Sequence, residues 1–197
     1  LSLPNKSTKL IMDGKSYQKI TSKAFPTSIG FQIAEFFLLA GIGALGVLIH
    51  AYLRTPLKLP GHNGVFYMAL LLSGRLLSQK KFASSYSSIG AAFMLLLPLG
   101  FKDPFMPVIY FFPGFVVDFM YNQFKTFRTH PLLLATICGL AYFTIPLTRI
   151  VIQTFTGFPY GSLTGGFIYP FITHFIFGFT GGLIPAGISF LKKRKKQ

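Results

Sequence analysis

Six long apolar segments divide the chain, and its Lys and Arg residues gather on alternate sides of them. The segments are Gly30–Leu53, His62–Gln79, Phe82–Phe101, Pro104–Tyr121, Pro131–Phe158 and Gly165–Leu191. Each is near the ~20 residues that an α-helix needs to cross a ~30 Å hydrocarbon layer. Inside a bilayer no water satisfies the backbone, so such segments must fold as helices. Fifteen of the nineteen Lys and Arg lie in residues 1–29, at Arg75, Lys80 and Lys81, at Lys125 and Arg128, and in residues 192–197. Arg54, Lys58 and Lys102 fall on the opposite side, and Arg149 lies within a segment. Short basic loops stay cytoplasmic, and six spans return the chain to its starting side.

The expected fold is an all-α integral membrane protein, with six transmembrane helices in a compact bundle and both termini cytoplasmic. Residues 1–29 read as a basic cytoplasmic segment, 30–191 as the membrane domain and 192–197 as a basic tail. No cleavable leader is expected, because the first apolar run begins near Gly30 and is long enough to span. The expected location is the cell membrane, crossed several times.

In a soluble protein a net charge of +15 would suggest nucleic acid as the partner. Here 51% of residues are hydrophobic and mean hydropathy is +0.55, which leaves no polar domain to carry a basic binding face. The cations sit instead where anionic headgroups of membrane lipids lie. Short loops also leave no room for an extramembrane catalytic module, and there is no glycine loop followed by Lys-Ser/Thr to hold a nucleotide. Cys138 is the single cysteine, so it forms no disulfide within the chain. No cofactor and no metal site is expected.

Polar residues within apolar segments are costly and tend to face a bundle interior or a wet cavity. Their depth is informative: Arg54, His62, Asn63, Tyr110, Arg149, Gln153 and His174 share one zone on the non-cytoplasmic side, with His50 and Asp103 at its edge. They outline a pocket opening outward, although the outermost of them also suit a plain interfacial role. Its charge leans positive, so an anionic or carboxylate-bearing small molecule fits, and arginine offers such a group a planar fork. Asp118 and Glu35 lie toward the other side; Asp118 is expected to pair with Arg75 or to cap local structure.

Between the first two segments, Thr55–Gly64 holds two prolines, with Gly61 and Gly64 around His62 and Asn63. It reads either as a lid over the pocket or as a tight turn with Asn63 capping the second helix. Pro113–Gly114 is expected to interrupt the fourth segment. Ala40 and Ala44 in the first segment, and Gly178 with Gly182 in the last, are small residues four apart. Such faces let helices approach closely, inside the bundle or against another membrane subunit.

Taken with Leu59–Gly64, Gly74–Arg75 and Phe112–Asp118, this architecture over residues 30–191 resembles the substrate-binding S component of an energy-coupling factor transporter. The resemblance implies that Ala40 and Ala44 dock on a transmembrane T component, and that two cytoplasmic ATPase subunits supply energy. It also implies a micronutrient cargo, a vitamin or a vitamin precursor, held beneath the first loop, and a protein that is not an enzyme. The chain departs from the family in enclosing its alanine motif in glycines and in its long basic lead-in. A stand-alone carrier or channel is the alternative, and an intramembrane enzyme using Ser162 and His174 a more distant one.

Overall fold

The computed structural model describes residues 29–53, 59–128 and 130–194. Among them every regular element is helical: α1 (Ile29–Tyr52), α2 (Gly64–Leu77), α3 (Ala83–Leu95), α4 (Met106–Gln123), α5 (Pro131–Tyr142), α6 (Thr144–Thr156) and α7 (Ile168–Arg194). Two short 3-10 turns, Lys125–Arg128 and Gly161–Leu163, complete the set. Residues 1–35 and 36–197 form separate units, and the described part of the first is the start of α1.

Three stretches are long and apolar enough to cross a membrane: Ile29–Tyr52, Pro131–Thr156 and Ile168–Lys192. The second contains both α5 and α6. Their junction, Phe143, keeps helical backbone angles, and Pro146 sits in the first turn of α6, where its missing amide costs little. The hydroxyl of Thr144 donates to the Ala141 carbonyl at this junction, 2.6 Å away. The fifth segment is therefore one rod of two helices.

The second and third segments are shorter than their apolar stretches suggest. α2 has 14 residues and α3 has 13, giving lengths of about 21 and 20 Å at 1.5 Å per residue. Leu96–Phe105 leaves the helix through bends, with Gly100 at φ +83°. α4 runs unbroken through Pro113, contrary to the expected interruption. The reason lies at the next residue, where the Gly114 amide donates to Ser88 Oγ at 3.0 Å. A Cβ at Gly114 would run into the Ser84 carbonyl and the Ser88 hydroxyl, so Pro113–Gly114 marks a helix crossing.

Small residues set the other crossings. α3 carries buried Ser84, Ser85, Ser87 and Ser88, and α3 and α4 lie closely side by side. Gly43 of α1 faces the Ser87 carbonyl, and Gly90 of α3 faces the Ala40 backbone, each with no room for a Cβ. Gly139, Gly178 and Gly182 similarly bring α5 and α7 into backbone contact, and Gly181 rests on the Val65 carbonyl of α2. Between these crossings lies the apolar core, including Met68, Leu71, Leu72, Ile109, Val117, Leu134 and Ile137. Large apolar side chains also cover the outside of every helix, such as Phe37, Phe66, Phe93, Phe115, Leu132, Leu147 and Ile176. Surface of this extent and chemistry calls for cover by lipid or another protein.

Candidate ligand-binding site

One end of the 36–197 unit gathers most of the polar residues expected to bind a ligand. Asn63 leads into α2, Tyr110 comes from α4, Arg149 from α6 and His174 from α7. His50, near the end of α1, joins them through its Nδ1, 2.9 Å from Tyr110 Oη. Tyr142 lies beside Tyr110. Tyr67 donates to the Tyr110 carbonyl at 2.7 Å and lies 3.1 Å from Ser88 Oγ. Because the Tyr67 proton is committed to that carbonyl, the Ser88 hydroxyl donates to Tyr67 while accepting from Gly114.

His174 is 1% exposed. Its Nδ1 donates to the Pro170 carbonyl at 2.7 Å, and its ring lies 5.1 Å from that of Tyr142. The turn preceding α2 sits directly on this ring. Gly61 holds φ +84°, and a Cβ there would stand 2.9 Å from His174 Cγ and Nδ1. Three residues on, Gly64 abuts the Tyr142 ring so closely that a Cβ would overlap it. Glycine is required at both positions, at Gly61 by backbone angle as well as by space. His62, between them, donates from Nδ1 to the Leu59 carbonyl at 2.7 Å.

Arg149 approaches the same end from α6. Its Nη1 lies 3.4 Å from Ser162 Oγ, its guanidinium carbon 5.6 Å from the centre of the Tyr160 ring, and its Nε is buried without a hydrogen-bond partner. The guanidinium acts electrostatically on His50, Tyr110, Tyr142 and His174. Tyr160 lies between Arg149 and Asp103, donating to Asp103 Oδ1 at 3.4 Å. Burial first, then the nearby carboxylate, pushes the Tyr160 phenol up to about 12, against the opposing pull of Arg149, so it remains a donor.

The expected residues separate into three groups. Tyr110, Arg149 and His174 belong to the cluster, and His62 and Asn63 to the turn beside it. Asn63 does not cap α2: its backbone is already helical and its side chain makes no cap bond. Its Oδ1 is instead buried without a hydrogen-bond partner. Gln153 lies exposed one turn beyond Arg149, near the end of α6, where its carbonyl accepts the Gly157 amide that closes the helix. It is not brought into the cluster. Arg54 and Thr55–Lys58 lie outside the described residues.

Sequence reasoning passed over Tyr67 and Tyr142, and kept Ser162 only for enzyme chemistry. In the structure Ser162 is paired with Arg149, not with His174. A tyrosine amid apolar residues is an ordinary core residue, and the signal that distinguishes these two is the glycine spacing that admits their rings.

Above the cluster, Leu59, Pro60, His62, Gly161, Ser162, Gly165 and Tyr169 line an open cavity of ≈ 530 Å³. On the flank, Phe37, Ala40, Gly41 and Ala44 of α1, Ile89, Phe93 and Met94 of α3, and Leu97 just beyond it border an apolar groove of ≈ 500 Å³. Among the described residues no group of three His, Cys, Asp or Glu is placed to hold a metal. Compared with protein families, curated proteins and solved structures, the chain matches none.

The opposite end is held by a different network. Asp118 Oδ1 lies 3.4 Å from Arg75 Nε, and the carboxylate also accepts the Ser84 amide and both the amide and hydroxyl of Ser85. Asp118 thus does both things expected of it, pairing with Arg75 and capping the start of α3. Arg75 extends the network to the Lys80 carbonyl and Asn122 Oδ1. The Tyr121 ring receives the guanidinium of Arg75 at 4.2 Å and that of Arg128 at 4.5 Å.

Proposed function

We propose that this chain is the substrate-capture subunit of an ATP-driven micronutrient importer, an S component of the energy-coupling factor type. In this reading it crosses the cell membrane six times with both ends in the cytoplasm. The end bearing the 59–64 turn faces outward, and the Asp118–Arg75 network lies at the cytoplasmic end. Ligand enters from outside, the first loop closes over it, and the bundle reorients while docked on a transmembrane T component driven by two ATPases. The cargo is a small molecule of the vitamin or vitamin-precursor class.

The supporting observation is the separation of a polar end from an apolar, small-residue flank. Polar groups from six helices converge at one end, beneath a glycine-shaped turn seated on His174. The flank instead offers Ala40, Gly41 and Ala44 beside an apolar groove, the kind of face on which another membrane helix packs closely. A body with few extramembrane residues is also suited to tipping, since little polar chain would be drawn through lipid.

The test is co-purification of the tagged chain from its native membranes, followed by identification of bound subunits. A T component and ATPases are expected with the unaltered chain and lost from Ala40→Trp/Ala44→Trp, while the variant still folds. Unchanged partner recovery in that variant would remove the docking role. Uptake by the chain alone in liposomes, independent of ATP, would favour the stand-alone carrier.

A further inference from the structure

The buried cluster and the cavity above it offer a ligand very different opportunities. Within the cluster, many of the polar atoms are already committed to one another. His50 is bonded to Tyr110, Tyr67 to the Tyr110 carbonyl and Ser88, and His174 Nδ1 to the Pro170 carbonyl. Displacing such bonds gains little, because each group released must find a new partner in a dry setting.

At the cavity the balance is reversed. Ser162 Oγ accepts from Arg149, so its own proton is free to be donated toward the space that Ser162 lines. Arg149 stands one hydrogen bond behind it. Its Nε is buried and donates to nothing, and among the described residues no carboxylate lies within ion-pairing distance of the guanidinium. Asp103, on the far side of Tyr160, is engaged by the Tyr160 hydroxyl and the Phe105 amide. A partly buried cation without a counter-ion is costly to maintain, and an acceptor at Ser162 would bear negative charge where that cation can act on it. The rest of the wall is mostly apolar, with Leu59 and Pro60 on one side and Tyr169 on the other, and His62 adds an imidazole whose Nδ1 is committed to the Leu59 carbonyl. The space is within the ~300–1,000 Å³ typical of small-molecule sites.

We propose that the cavity between residues 59–62 and 161–169 is the ligand site, and that it takes a small carboxylate with a planar apolar body. The carboxylate accepts from the Ser162 hydroxyl under the field of Arg149, and the body lies against Leu59, Pro60 and Tyr169. The tyrosine and histidine cluster then serves as the floor of the site. This rests on the reading of that end as the ligand-binding end, but needs neither the T component nor the ATPases.

The experiment uses the full chain purified in detergent, with 4-hydroxybenzoate and its uncharged amide, 4-hydroxybenzamide, as probes. The carboxylate is expected to raise the melting temperature in a saturable manner and the amide is not. Arg149→Gln should weaken the carboxylate about tenfold or more, as expected when a nearby, partly buried cation is removed, and Ser162→Ala, which removes a hydrogen bond but keeps that charge, should weaken it less. If Arg149→Gln does not fold, Ser162→Ala and the charge-retaining Arg149→Lys decide the matter; the lysine variant is expected to bind between the other two. Equal stabilisation by carboxylate and amide, no stabilisation by the carboxylate, or full retention of its effect in the Arg149 and Ser162 variants would each overturn the proposal. Loss of partner subunits is read separately by co-purification. A chain that binds the probe but recruits no T component would refute the transporter assignment and leave this site standing.

Discussion

Arg75 Nε stands 3.4 Å from Asp118 Oδ1, with both side chains almost wholly buried. The same carboxylate receives the first amides of α3, so one acid both neutralises a cation from α2 and starts the next helix. Such a pair is not automatically stabilising, since both partners lose their water. Removing one partner is a different matter. Asp118→Asn is expected to cost about 3–5 kcal/mol in unfolding measured in detergent. Arg75→Met should be similarly harmful, and the double variant should cost less than the two single changes together.

The glycines of α1 are predicted to behave oppositely although they lie on one turn. Gly43 meets the Ser87 carbonyl of α3, whereas nothing lies within 4 Å of a Cβ at Gly41. Gly43→Ala should force α1 and α3 apart and cost about 1–3 kcal/mol. Gly41→Ala should be neutral or stabilising by up to about 1 kcal/mol, from helix propensity alone. Paired thermal melts of the two variants check this.

The turn before α2 should be sensitive at Gly61. An alanine there must take up φ +84° and also contact His174 at 2.9 Å. The conformational cost alone is about 1–2 kcal/mol. Faster amide exchange confined to residues 59–64, with α4 and α5 still protected, is the expected outcome.

Within the cluster, Tyr67→Phe should be more damaging than Tyr110→Phe. The Tyr67 hydroxyl serves a buried backbone carbonyl, that of Tyr110, and buried Ser88, whereas the Tyr110 hydroxyl meets the partly buried His50 ring, and its loss leaves the carbonyl bond to Tyr67 intact. A loss of about 1–3 kcal/mol is expected for Tyr67→Phe, whose removal leaves buried groups unpaired. Chemical unfolding of both variants tests the order.

The chain contains no Trp, so Gly41→Trp would place a sole indole at the flank groove, from a position where a Cβ meets no neighbour within 4 Å. Its emission should shift to the blue when a partner helix covers it and stay unchanged on addition of a carboxylate probe. An emission spectrum unaffected by T component would count against docking there.

The positions of the helices were legible because the bilayer requirement writes long apolar runs, and α1 and α7 follow those runs to within a few residues. The ends of α3 were not, since Leu96, Leu97 and Phe101 are as apolar as a helix while Pro98 and Gly100 turn the backbone out of it. Pro113 misled in the other direction, because what makes it tolerable is a serine on another helix. Depth alone placed Tyr110, Arg149 and His174 at one end. It could not separate Gln153 from them, since a single further turn of α6 carries that residue beyond the packed region. The partnership of Ser162 with Arg149 was likewise hidden, as it depends on how the loop after α6 folds back.

The shortness of α2 and α3 has a bearing on the surrounding lipid. In a bilayer of ordinary thickness, these ~20 Å helices would leave ~10 Å of hydrocarbon unmatched on their side, while the α5–α6 rod and α7 can reach across. In the six-span reading proposed above, lipid beside these two helices would thin or tilt to meet them. The groove between α1 and α3 would border that zone. A neighbouring helix seated there would replace deformed lipid, so association would be favoured by relief of hydrophobic mismatch as well as by contact.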